Sequence, residues 1–148
     1  MKKLILLLLP FVLLWTGCTD QFDKDEDLIL EYLETNNLTA ERTENGIYYI
    51  IDVEGTGDHP TINDEVEVHY EGYLLDGSIF DSSIARNETS TFPLRNVIVG
   101  WQLAIPLLKE GGKGKFLIPS IHAYGSRGSG SIPGNTVLIF DVELFEIK

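Results

Sequence analysis

The chain reads as an α+β protein, with antiparallel strands gathered around one substantial helix and a short helix ahead of them. Three observations predict this. Between Gly46 and Lys148, short runs rich in β-branched and aromatic residues alternate or stop at glycine, proline and aspartate. One stretch in that region, Trp101 to Leu108, has Trp101, Ile105 and Leu108 roughly on one helical side. Upstream, Leu28, Ile29, Tyr32 and Leu33 make one apolar face of a short helix. Strands segregated from helix in this way indicate the α+β class.

Taken in order, the first helix carries acidic residues at its N-terminal end, which complement its dipole, and stops at Thr35-Asn36-Asn37. Its apolar face suits packing on the main domain, dimerisation or spacing the domain from a membrane. Ile47 to Val53 is the first strand and ends at Gly55-Thr56-Gly57. Val66, Val68 and Tyr70 form one face of a second, with Glu65, Glu67 and His69 opposite. Asp76-Gly77 is a tight-turn signal before Ile79-Phe80. Thr91 to Leu94 is extended, because Pro93 disfavours helix at Phe92. Pro106 makes the Trp101–Leu108 helix short or irregular, and Gly111-Gly112 ends it. Lys115 to Pro119 and Val137 to Glu146 are the last strands, separated by a glycine-serine loop from Gly125 to Gly134 that is expected to be mobile.

Residues 1–17 read as a secretory signal: Lys2 and Lys3, an apolar run from Leu4 to Trp15, then small residues. The run is shorter than the roughly 20 apolar residues a membrane-spanning helix needs. Thr16-Gly17-Cys18 resembles a bacterial lipobox, which implies that Cys18 is lipidated and becomes the first mature residue. Cys18 is the only cysteine, so no disulfide framework supports the fold. Residues 18–44 then form an acidic tether and the short helix, and 45–148 the main domain. The formal charge of −12 repels phosphate backbones and argues against nucleic acid as a partner. Asp20, Asp23, Asp25, Glu26 and Asp27 read as a solvated acidic run.

Most enzyme chemistries find no support. His59, His69 and His122 are far apart and none pairs with cysteine at metal-ligand spacing. Gly111-Gly112-Lys113-Gly114-Lys115-Phe116 fails as a phosphate loop, with Phe116 in the Ser/Thr place and Lys109 where the first glycine belongs. No serine has nucleophile-elbow spacing.

What remains is a set of aromatic and apolar residues suited to a ligand pocket. Val66 to Ser83, Val97-Ile98-Val99-Gly100-Trp101, Ala123-Tyr124-Gly125 and Phe140-Asp141-Val142-Glu143-Leu144 together resemble the FKBP-type peptidyl-prolyl cis-trans isomerases over residues 45–148. The resemblance implies a twisted antiparallel β-sheet wrapped around one short helix. It implies a site made of Tyr70, Phe80, Asp81, Ile98, Trp101, Tyr124 and Phe140, with Val97, Ile132 and Phe92 contacting substrate. Trp101 would floor the proline subsite, and the Ile98 N–H and Tyr124 hydroxyl would donate to substrate carbonyls. Asp81 would polarise the amide environment or anchor Tyr70. Proline-containing polypeptides are the implied substrates, macrolides the implied inhibitors, and no cofactor or metal is implied. Ser90 and the loop carrying Arg127 depart from the family pattern. The competing functions are a non-catalytic chaperone or binding module and a structural lipoprotein of an envelope assembly.

Overall fold

The computed structural model describes residues 20–148; residues 1–17, read above as a secretory signal, and Cys18 lie outside the described residues. Helix α1 spans Gln21–Thr35, so it begins seven residues before the apolar face at Leu28 that marks it in the sequence. The cause is local: the Asp20 carboxylate caps the helix by accepting the Gln21 N–H at 2.7 Å. The acidic run is therefore helical rather than a loose tether. Asp25, Ile29 and Leu33 fall four residues apart along the buried face, and Asp25 is fully buried. Glu26 accepts hydrogen bonds from Arg42 at 2.6 Å and from the Tyr48 hydroxyl at 2.7 Å.

Seven strands follow: β1 Glu41–Arg42, β2 Tyr48–Val53, β3 Glu65–Leu74, β4 Ile79–Ser82, β5 Ser90–Pro93, β6 Lys113–Ile118 and β7 Leu138–Ile147. They form one antiparallel sheet in the order β1-β2-β6-β7-β3-β4, with β5 also on β3. The outer edge of β3 is thus divided. Val66 and Val68 face Phe92 and Ser90 of β5, while Glu71 and Gly72 face Ser82 and Asp81 of β4. Its other edge runs along β7, with Gly72 opposite Phe140. The Asp76-Gly77 turn joins β3 to β4, with Gly77 at φ +86° and Asp76 accepting the Ser78 N–H at 2.9 Å.

The sheet is covered on both faces. Helix α2 spans Val99–Ala104 and passes into a 3-10 turn at Ile105–Leu107. Pro106 explains the change, since it lacks the N–H that would continue the α-helix. Trp101, Ile105 and Leu108 are buried against Val66, Val68, Tyr70, Phe116, Leu138 and Phe140 on the inner face. On the other face, Ile29 and Leu33 of α1 pack on Tyr48, Leu117, Val137 and Ile139. Burial of each such side chain stabilises by about 1.5–3 kcal/mol. Double cover explains why Phe116, Leu117 and Ile118 are all buried in succession, where one-sided strands alternate.

The Gly125–Gly134 segment is folded on itself. Ser129 and Ile132 exchange N–H···O bonds at 2.9 Å, and the Asn135 N–H reaches the Gly125 carbonyl at 2.8 Å.

Candidate active site

Every pocket residue singled out in the sequence lines one cleft of about 560 Å³. Tyr70 comes from β3, Phe80 and Asp81 from β4, Phe92 from β5 and Phe140 from β7. Val97 and Ile98 lead into α2, which supplies Trp101, and the β6–β7 loop brings Tyr124 and Ile132. The divided edge of β3 opens the sheet here, so residues from both β4 and β5 reach the same space. Asn96 and Ser129 to Ser131 also line the cleft. No periodicity could have singled them out, because loop backbone rather than side-chain pattern puts them there.

Trp101 forms the base, with only 4% of its surface exposed. The rings of Tyr70, Phe92 and Phe140 stand edge-on to it at centroid distances of 5.2, 5.7 and 5.3 Å, a geometry favoured by the ring quadrupoles. Phe80 meets Phe140 in the same manner at 5.5 Å. Gly72 makes this possible: a Cβ there would lie 2.6 Å from Phe80 Cζ and 2.8 Å from Phe140 Cε1. Gly72→Ala is therefore expected to displace both rings and cost about 1–3 kcal/mol. A thermal melt checks this, and an unchanged Tm would refute the packing argument.

The polar side of the cleft is an organised triad. The Tyr70 hydroxyl donates to Asp81 Oδ2 at 2.5 Å, Arg86 Nη1 donates to Asp81 Oδ1 at 2.5 Å, and Arg86 Nη2 donates to the Tyr70 oxygen at 3.1 Å. Burial alone would raise the Asp81 pKa, but the bonds from Tyr70 and then Arg86 outweigh it and hold the carboxyl below its ordinary range. Burial, reinforced by the bond to Asp81, raises the Tyr70 phenol above its own. Both Asp81 oxygens are thus engaged. Arg86 was missed in the sequence because nothing in the spacing of a lone loop arginine marks it as a carboxylate partner.

Two donors are spare. Ile98 holds the N-cap position of α2 with extended backbone, and its N–H has no acceptor among the described residues. Tyr124 is 38% exposed at the rim. His122 is half-buried, with Nε2 2.9 Å from the Asn45 carbonyl oxygen. Among the described residues no cluster of histidine, cysteine and carboxylates could hold a metal.

Fold and site together define a class: a sheet wrapped around a short helix, with an aromatic cup between them and two unengaged hydrogen-bond donors at its rim. The chain belongs to the FKBP-type peptidyl-prolyl cis-trans isomerase family, whose model matches residues 57–145. It is 49% identical over 120 residues to the FKBP-type peptidyl-prolyl cis-trans isomerase FkpA of Aeromonas hydrophila, covering 80% of this chain and 45% of that protein. It is 45% identical over 121 residues to the FKBP-type 22 kDa isomerase of Escherichia coli, covering 80% and 59%. The chain thus spans about half the length of these relatives. The crystal structure of a peptidyl-prolyl cis-trans isomerase from Pseudomonas syringae superposes with a TM-score of 0.75 at 32% identity, covering 86% of this chain and 93% of that one. That of FkpA from Escherichia coli gives 0.74 at 36% identity, covering 86% and 63%.

Proposed function

We propose that this chain is a peptidyl-prolyl cis-trans isomerase that assists the folding of exported proteins. The observation that carries the reading is the convergence of Tyr70, Phe80, Asp81, Trp101, Tyr124 and Phe140 on one apolar cleft with spare donors. Rotation about an X–Pro bond is slow because amide resonance imposes a barrier of roughly 18–20 kcal/mol. The planar amide is polar, and the twisted transition state has lost that resonance. Removing an unpaired amide from water costs roughly 2–7 kcal/mol, a cost that falls mainly on the planar form. Lowering the barrier by about 5 kcal/mol shortens a relaxation of tens of seconds to about ten milliseconds. Desolvation by the cleft is therefore of sufficient size without any nucleophile or proton relay.

In this mechanism proline sits on Trp101, between Tyr70, Phe80, Val97 and Phe140, with Phe92 and Ile132 at the margins. The Ile98 N–H and Tyr124 hydroxyl take substrate carbonyls and hold the chain on either side of the rotating bond. The bond from the Tyr70 hydroxyl supports an anchoring role for Asp81: with both oxygens occupied, it fixes Tyr70 and Arg86 at the wall. A protease-coupled or NMR exchange assay on a proline tetrapeptide tests the function, and absence of turnover would reject it. The same assay in the presence of a macrolide tests inhibitor binding at this cleft.

The absence of proton transfer makes a pH prediction. Asp81 titrates below the usual carboxylate value of about 3.9 and Tyr70 above the usual phenol value of about 10. Asp81 therefore contributes its bonds fully above its unfolded pKa and loses them only as pH falls through the depressed folded value. kcat/KM is expected to be flat between about pH 5 and 9. An inflection near neutrality would point to a proton carrier in the step.

The same proposal places the protein at the cell envelope, exported by residues 1–17 and held, through lipid on Cys18, at the outer membrane of a Gram-negative bacterium. The small residues directly before the lone cysteine support this. Metabolic labelling with a palmitate analogue tests it, and Cys18→Ala should abolish incorporation and release the protein from membranes.

A further inference from the structure

We infer that Asp25 is a positioning residue for the active site: through Ser120 it sets the loop that presents Tyr124 to the cleft. The inference rests on the isomerase reading above. Asp25 is fully buried, 95 residues before Ser120 in sequence, and takes no part in the mechanism. Its Oδ2 accepts both the Ser120 N–H at 2.7 Å and the Ser120 hydroxyl at 2.6 Å, while Oδ1 accepts Gln21 Nε2 at 2.7 Å.

A carboxylate removed from water is costly even when its lone pairs are met. An alkyl side chain would dock α1 on the sheet at least as well, as Ile29 and Leu33 already do. What the carboxylate adds is direction, because two bonds to one residue fix both its backbone and its rotamer. Ser120 opens the 3-10 turn Ser120–His122, and its carbonyl accepts the N–H groups of Ala123 at 3.0 Å and Gly125 at 2.8 Å. Those bonds bracket Tyr124. The Tyr124 carbonyl in turn accepts the Gly128 N–H at 3.2 Å, leading to the Ser129–Ile132 rim. A second contact runs parallel to the first. Phe22 of α1 packs on Gly46, beside the Asn45 carbonyl that holds His122. Helix α1 therefore grips the base of the substrate-facing loop at two points.

The test compares Asp25→Asn, Ser120→Ala, Tyr124→Phe and the Asp25→Asn/Tyr124→Phe pair in the full chain, with Ile29→Val as a packing control. A donor that serves substrate and transition state alike acts on KM, so Asp25→Asn and Tyr124→Phe should each raise KM about 5- to 10-fold with kcat within about twofold. If Asp25 acts through Tyr124, the pair is no worse than Tyr124→Phe alone. Ile29→Val should lower Tm and leave KM in place. Multiplicative effects in the pair, or a lower Tm at unchanged KM in Asp25→Asn and Ser120→Ala, would overturn the inference.

Amide spectra give a readout that does not need turnover. Tyr124, Gly125 and Ile132 N–H signals should move in Asp25→Asn and stay in Ile29→Val. An inactive wild-type chain would reject the isomerase reading, and the amide shifts would then decide the loop coupling by themselves. Unmoved Tyr124 and Gly125 signals would reject that coupling.

Discussion

Trp101→Leu is expected to lower kcat/KM for a proline tetrapeptide by about 100-fold, equivalent to about 2.7 kcal/mol of transition-state stabilisation. Among the described residues the indole is the one ring met edge-on by three others, and each such contact is worth about 0.5–1.5 kcal/mol beyond its buried area. Leucine keeps the site apolar but removes the flat base, so Tyr70, Phe92 and Phe140 lose their common partner. The fold should survive, because Leu94, Ile105, Leu108 and Phe116 remain around the position. Adding Phe80→Ala should deepen the loss of turnover. Circular dichroism beside the isomerase assay separates the two effects. Turnover at the wild-type rate would remove Trp101 from the site.

The second large effect concerns α1. A chain beginning at Thr39 should be markedly less stable than one beginning at Asp20. It would lose the burial of Ile29 and Leu33, at about 1.5–3 kcal/mol each, and leave Tyr48, Leu117 and Ile139 facing water. It would also strip Ser120 of the partner for its N–H and hydroxyl. The burial loss alone, about 3–6 kcal/mol, is a large part of the roughly 5–15 kcal/mol that holds a domain together. A Tm lower by more than about 10 °C is expected. A difference below that would return α1 to the status of a tether.

Most of the fold was legible because its strands carry period-two patterns and its turns carry glycine. Val66, Val68 and Tyr70 alternate with Glu65, Glu67 and His69, and the structure buries the first set. Trp101, Ile105 and Leu108 marked α2, and Pro106 its irregular end. The N-terminal limit of α1 was not legible, because acidic residues at helical spacing resemble a solvated run until their partners are known. Asp25 shows the difficulty. Its partner is Ser120, and no local pattern joins residues so far apart.

For the site, the apolar wall could be read because aromatic residues in order and spacing match a family. Arg86 could not. Its role depends on the Tyr70 hydroxyl and the Asp81 carboxylate meeting across the β3–β4 pair, which is a property of register. Asn96 and the serines at the rim are brought in by loop backbone, which carries no periodic signature.

The narrow margins of the sheet bear on the proposed handling of unfolded chains. On one side β1 is two residues long, both charged, and covers only Tyr48 and Tyr49, leaving the short end of β2 at residues 50–53 as the remaining border; on the other, β4 and β5 have four residues each, and β5 closes on Pro93. Short, charged or proline-ended borders offer little for an extended polypeptide to add to as a further strand. Under the proposed function, an unfolded client entering the aromatic cup would find little in these borders to pair with and would leave as a separate chain.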